Sequence, residues 1–118
     1  MTRWDPWSYP EKAGITADSR ELVGFELEAT DGHIGKVDEA SYDVGSGHIV
    51  VDTGPWIFGK KVLLPAGTIE SVDRDTNRVF VNRSKDEIKD SPRFDPGTYR
   101  GSEYRGEVGT YYGRFYNT

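Results

Sequence analysis

The aliphatic side chains of this 118-residue chain fall almost entirely between positions 20 and 83, in short runs cut by Gly, Asp and Asn. Runs of that length cannot supply a long amphipathic helix, but they suit strands joined by tight turns. Phe25, Leu27 and Ala29 alternate with Glu26, Glu28 and Thr30, which predicts a half-buried strand with one wet face. Asp31-Gly32 follows, a dipeptide suited to a hairpin because both residues tolerate positive φ. Ile34 to Tyr42 reads as a second strand in which Ile34, Val37 and Ala40 break the period of two, and a bulge explains the break. Gly45-Ser46-Gly47 turns the chain into a β-branched strand from His48 to Asp52, ended by Thr53-Gly54-Pro55.

Lys60 to Leu64 predicts a fourth strand, stopped by Pro65, which has no N–H for a ladder. Ile69 and Val72 form a short continuation, Asp75-Thr76-Asn77 a turn, and Arg78 to Asn82 a further strand. Ser84 stands where a helix N-cap belongs, with Glu87 at capping-box spacing and Asp86 in the same first turn, where the helix dipole favours anions. A helix of one or two turns fits before Ser91-Pro92. The expected fold is all-β: a small antiparallel β-barrel of five to six strands with one short helix.

The ends differ from this middle. Residues 1–19 carry Trp4, Trp7, Tyr9, Pro6 and Pro10 without periodicity and read as an irregular arm ahead of a domain at 20–96. Residues 97–118 hold five Gly, five Tyr and one Phe but a single aliphatic side chain, Val108, too little for a core of their own.

Leu22-Val23-Gly24-Phe25, Asp31-Gly32-His33-Ile34-Gly35-Lys36-Val37-Asp38-Glu39, an aliphatic strand, a Gly-rich loop, Val62-Leu63-Leu64-Pro65 and Val79-Phe80-Val81 together resemble the PRC-barrel family. That family includes the cytoplasmic domain of the photosynthetic reaction-centre H subunit, the C-terminal half of a ribosome maturation factor and stand-alone bacterial proteins. The resemblance covers roughly residues 20–92. It implies a small antiparallel barrel that contacts other proteins, with Gly24 and Gly35 where a strand bends or a neighbour comes close. It implies no catalytic residues, so an enzyme is not expected.

Charge and composition narrow the function classes. With 15 basic and 20 acidic residues the chain carries a net charge of -5, which repels phosphate backbones and makes nucleic acid a poor default partner. It has no Cys, so thiolate metal sites and cysteine nucleophiles are absent and a reducing, cytoplasmic setting fits. No apolar run approaches the ~20 residues that cross a bilayer, and the first residues lack the order of a signal peptide. His33 and His48 each adjoin a turn, where an imidazole is mostly solvated, and two His without Cys are a thin basis for a metal site. The carboxylate pairs Asp38-Glu39, Asp73 with Asp75, and Asp86-Glu87 fall at loop edges and read as solvating, turn-forming or capping groups. No cofactor is expected.

Aromatic residues carry the remaining signal. Three Trp, seven Tyr and five Phe exceed what so small a barrel encloses, so the ends must bury some of them in contacts. Trp56-Ile57-Phe58, in a Gly/Pro-bounded loop beside Lys60-Lys61, either plugs the barrel mouth or anchors a partner. The tail's Tyr side chains lie on the barrel or a neighbouring subunit, or the tail is disordered. Its Tyr99-Arg100-Gly101 and Tyr104-Arg105-Gly106 repeats also suit stacking on unpaired bases, though three Arg with two Glu make a weak footprint. The expectation is a non-catalytic interaction or scaffold module, homodimeric or wrapped by its own ends. Its contact residues would be Trp4, Trp7, Trp56, Phe58, Tyr99, Tyr104, Tyr111 and Tyr112. The alternative is an RNA-associated accessory factor using the tail.

Overall fold

The computed structural model describes residues 6–7, 22–41, 47–53, 61–92, 94, 97 and 101–116. Six strands form one sheet: β1 (Glu26–Ala29), β2 (Gly32–Ser41), β3 (His48–Asp52), β4 (Lys61–Pro65), β5 (Ile69–Asp73) and β6 (Arg78–Val81). Two helices follow, α1 (Lys85–Lys89) and α2 (Ser102–Gly113). Among the described residues no helix is long and apolar enough to cross a membrane.

Alternation sets the first hairpin. Leu27 and Ala29 point inward and Glu26 and Glu28 outward, and Ala29 pairs with Gly32 across a turn made by Thr30 and Asp31, one residue earlier than the sequence suggests. Gly32 takes φ +149, which a side chain would disfavour. The irregular period of β2 has the expected cause twice over. Its register skips Ile34 opposite Leu27/Glu28 and skips Asp38 opposite Val50/Val51, so Ile34 and Val37 both reach the core.

The strand order is β4-β3-β2-β1-β6-β5. Four of the neighbouring pairs are antiparallel, but β1 and β6 run parallel, so the sheet is mixed rather than antiparallel throughout. The cause is the roll of the sheet. The edge strands β4 and β5 are consecutive in sequence and separated only by a 3-10 corner at Ala66–Thr68, so the chain turns that corner and comes back to lay β6 beside β1. Among the described residues no ladder joins β4 to β5, and the barrel stays open at that seam. The corner is buried and held from both sides: Ala66 N–H donates to Gly47 at 3.0 Å, Thr68 Oγ1 to Pro65 at 2.8 Å, and Asn82 N–H to Thr68 at 3.0 Å.

Leu22, Leu27, Ile34, Val37, Ile49, Val51, Leu63, Leu64, Ile69 and Val79 fill the roll. Each such side chain contributes ~1.5–3 kcal/mol of transfer free energy when covered. The helix read at Ser84 forms as α1, with both capping-box bonds present: Glu87 N–H to Ser84 Oγ at 3.2 Å and Ser84 N–H to Glu87 Oε1 at 2.8 Å. Asp31 Oδ1 accepts from Lys85 N–H at 2.8 Å and ties α1 to the first hairpin turn.

The second helix is an element the sequence reading lacked, but it bears out the expectation that tail tyrosines lie on the barrel: Tyr104, Val108 and Tyr112 recur at i, i+4 and i+8 and bury one face of α2 against it.

Candidate interaction surface

Both ends of the chain converge around α2. Pro6 and Trp7 lie across the corner region: Gly67 N–H donates to Pro6 and Gly47 N–H to Trp7, both at 2.9 Å. Gly109 of α2 lies at this contact: a Cβ built there would meet Trp7 Nε1 at 3.6 Å and Pro6 Cγ at 3.8 Å, ordinary van der Waals separations. The Arg105 guanidinium stacks 4.7 Å from the Trp7 ring, joining arm to helix.

The end of α2 is clamped separately. Arg83, just beyond β6, lies 4.7 Å from the ring centres of both Phe115 and Tyr116, with its Nη1 3.5 Å from Glu87 Oε2. The Tyr116 hydroxyl donates to Asn82 Oδ1, and Asn82 Nδ2 donates to Glu70 Oε2 at 3.0 Å. The Tyr111 hydroxyl donates to the Glu87 carbonyl at the end of α1. Tyr111 meets Tyr112 and Phe115 edge-on at 5.0 and 5.6 Å, the arrangement that ring quadrupoles favour.

These contacts remove phenols from water. Burial pushes Tyr104 up to about 12, with Glu107 adding to the shift, and Tyr116 up to about 12 against the opposing pull of Arg83. Tyr112, fully buried, is raised further. Tyr111 is raised by burial first and then by Asp90 and Glu87.

Beside this collar lies an open groove of about 670 Å³ between the end of α1 and the outer face of α2. Asp90 and Pro92 form one wall, Gly106, Glu107 and Thr110 the other, with Tyr111 and Arg114 alongside. Nothing lies within 4 Å of a Cβ built on Gly106, so a ligand's backbone can approach closely there.

The anticipated contact residues divide three ways. Tyr104 and Tyr112 are buried and given to the chain's own core. Trp7 and Tyr111 are half-buried, Trp7 against α2 and the corner, Tyr111 on the groove. Trp4, Trp56, Phe58 and Tyr99 lie outside the described residues. Sequence reading missed Asn82, Arg83, Thr110, Phe115 and Tyr116; only the Tyr-Tyr-Gly-Arg-Phe-Tyr run hinted at the last two.

The two histidines separate. His33 is exposed on the outer face of the sheet, with Nδ1 2.5 Å from Glu28 Oε2 and Nε2 3.3 Å from Glu26 Oε2. Lys36 and Arg78 extend this ladder at 3.9 and 3.6 Å. His48 is buried rather than solvated, because β3 lies between β2 and β4 and both its faces are covered; its Nε2 stands 3.9 Å from Glu39 Oε2. No group of His, Asp and Glu fit to hold a metal ion occurs among the described residues.

No protein-family model matches the chain, and no curated protein matches its sequence. Among solved structures it is similar to a protein described as a 16S ribosomal RNA processing protein, RimM, from Pseudomonas aeruginosa, at 19% identity with a TM-score of 0.49. The similarity covers 58% of this chain and 44% of that one, so the chain spans less than half the length of that protein.

Proposed function

We propose that this chain is a non-catalytic protein-interaction module of the PRC-barrel type, and that the groove between α1 and α2 is its docking face. The observation that carries the reading is the aromatic collar. Rings from both ends of the described chain and the cations Arg83 and Arg105 are spent on fixing α2 against the barrel, beside an open groove edged by the half-buried Tyr111. The sequence resemblance points the same way, since that family contacts other proteins. A second copy of the chain is one candidate partner, and the mass in solution reports on it.

The RNA-associated alternative draws on the same tail, of which Tyr99 and Arg100 lie outside the described residues. Arg105 stacks on Trp7 and Arg114 lies 5.6 Å from the Tyr111 ring, so these rings and cations already serve one another. The likeness to a protein described in terms of 16S ribosomal RNA processing makes nuclease treatment a necessary arm of the test.

Removing residues 97–118 strips Tyr104, Val108 and Tyr112 from the core, so such a deletion tests folding rather than docking. The informative variant is Thr110→Arg, which fills the groove from an exposed position. Full-length protein should capture the same partner from its native host with or without ribonuclease, and Thr110→Arg should lose it while keeping its melting temperature. Equal capture by both proteins, or capture abolished by ribonuclease, overturns the reading.

A further inference from the structure

The Pro6-Trp7 segment sits on the barrel as a bound peptide would. Its two consecutive carbonyls accept from Gly67 and Gly47, N–H groups on separate parts of the chain, each 2.9 Å away. The Arg105 guanidinium covers the indole at 4.7 Å. The three atoms nearest a Cβ built on Gly109 are Trp7 Nε1, Pro6 Cγ and Trp7 Cζ2, so α2 meets the segment at a position without a side chain. Donors for both carbonyls, a cation for the ring and a bare stretch of helix together make a seat for an extended Pro-Trp dipeptide.

This plug is held lightly and on a long tether. Neither Pro6 nor Trp7 is fully buried, and Leu22, the next described residue, comes 15 positions after Trp7. A chain of that length spans up to ~50 Å when extended. The longest dimension of the protein is 33 Å, so the tether is long enough to carry the plug beyond its own barrel.

From this we infer that the arm exchanges between copies: Pro6-Trp7 of one chain takes the seat between the corner and α2 of a second, which returns its own arm. The occupant is a second copy because the segment that fits the seat is this chain's own. Every contact of the exchanged pair is one that a single chain already makes, so a two-fold pair forms without a new complementary surface. A tethered plug competes at an effective concentration in the millimolar range, so the pair is a minor species in dilute solution and grows with protein concentration. The inference goes beyond the groove reading and does not depend on it, since the seat lies on the Gly109 side of α2 and uses none of the groove's lining.

Separating plug from seat tests the exchange. Trp7→Ala keeps the seat and loses the plug. Gly109→Leu keeps the plug and fills the seat, because the atoms nearest a side chain there all belong to the arm, and the change also favours helix. Isotope-labelled Trp7→Ala, titrated in full-length form with unlabelled Gly109→Leu, should show saturable amide NMR shifts at Gly47, Gly67 and residues 105–109. Its amide relaxation should approach that of a particle of twice the mass. The unlabelled double variant Trp7→Ala, Gly109→Leu should produce neither effect. Absence of shifts at ~1 mM partner, or shifts that persist with the double variant, overturns the inference. A second measurement needs no variant. In unaltered protein at ~1 mM, with nitrogen-labelled and carbon-labelled copies mixed, magnetisation should pass from the Trp7 ring to the Gly109 amide between differently labelled chains. Transfer confined to single chains overturns the exchange, whatever the variants do.

Discussion

Gly35 and Gly24 are glycines for different reasons, and the difference sets the cost of replacing them. A Cβ on Gly35 would lie 2.0 Å from the Asp52 carbonyl oxygen, 2.9 Å from its carbon and 3.0 Å from Thr53 Cα, all backbone atoms in the neighbouring strand region. Neither side can yield without opening the β2–β3 ladder. Gly24 has φ +91 with nothing within 4 Å, so a side chain there meets strain but no clash. Gly35→Ala should therefore cost at least ~3 kcal/mol in urea unfolding and Gly24→Ala only ~1 kcal/mol. Equal losses would mean that the β2–β3 approach is not as close as it stands in this fold. These two positions were legible in the sequence through their resemblance to a known glycine pattern, although spacing alone gave no reason to rank them.

At the scale of elements, legibility follows how local each determinant is. The β1–β2 hairpin, the bulges of β2 and the capping box at Ser84 depend on neighbours a few residues apart, and each appears where alternation and cap chemistry placed it, the turn one residue early. The parallel pairing of β1 with β6 depends on the roll of the whole sheet, which no local pattern encodes. Helix α2 failed for another reason. Gly106, Gly109 and Gly113 lower its intrinsic propensity, Gly101 offers no capping side chain, and its apolar stripe is two phenols around Val108, invisible to a search for aliphatics. Docking therefore holds this helix, and its two central tyrosines should respond oppositely to loss of a hydroxyl. Tyr111→Phe removes the bond to the Glu87 carbonyl and should cost ~1 kcal/mol. Tyr112 places its hydroxyl in the core beside Ser91, without a bond of good hydrogen-bonding geometry, so Tyr112→Phe should be neutral or stabilise by up to ~1 kcal/mol. Urea midpoints of the two variants decide the matter, and a larger loss for Tyr112→Phe would show that its hydroxyl is bonded.

The whole molecule is closed by phenols, and that gives its stability a pH dependence of predictable sign. Four of the seven tyrosines, Tyr104, Tyr111, Tyr112 and Tyr116, join α2 and the segment after it to the barrel, and all four hold their protons more tightly than an ordinary phenol at 10.0. Burial is the main cause in each, because the low-dielectric interior disfavours the phenolate. Below about pH 10 the phenols are protonated in both folded and unfolded chains, and their contribution to stability is fully present. Above it the unfolded chain ionises first, so stability falls steadily and is lost as pH passes the folded values of about 12 for Tyr104 and Tyr116. The urea midpoint should therefore decline between pH 10 and 12, and the absorbance of these four tyrosinates should appear together with loss of helix and sheet signals. If they instead titrated near pH 10 with the fold intact, α2 would have to leave the barrel readily, and a rigid groove beside it could not be the docking face.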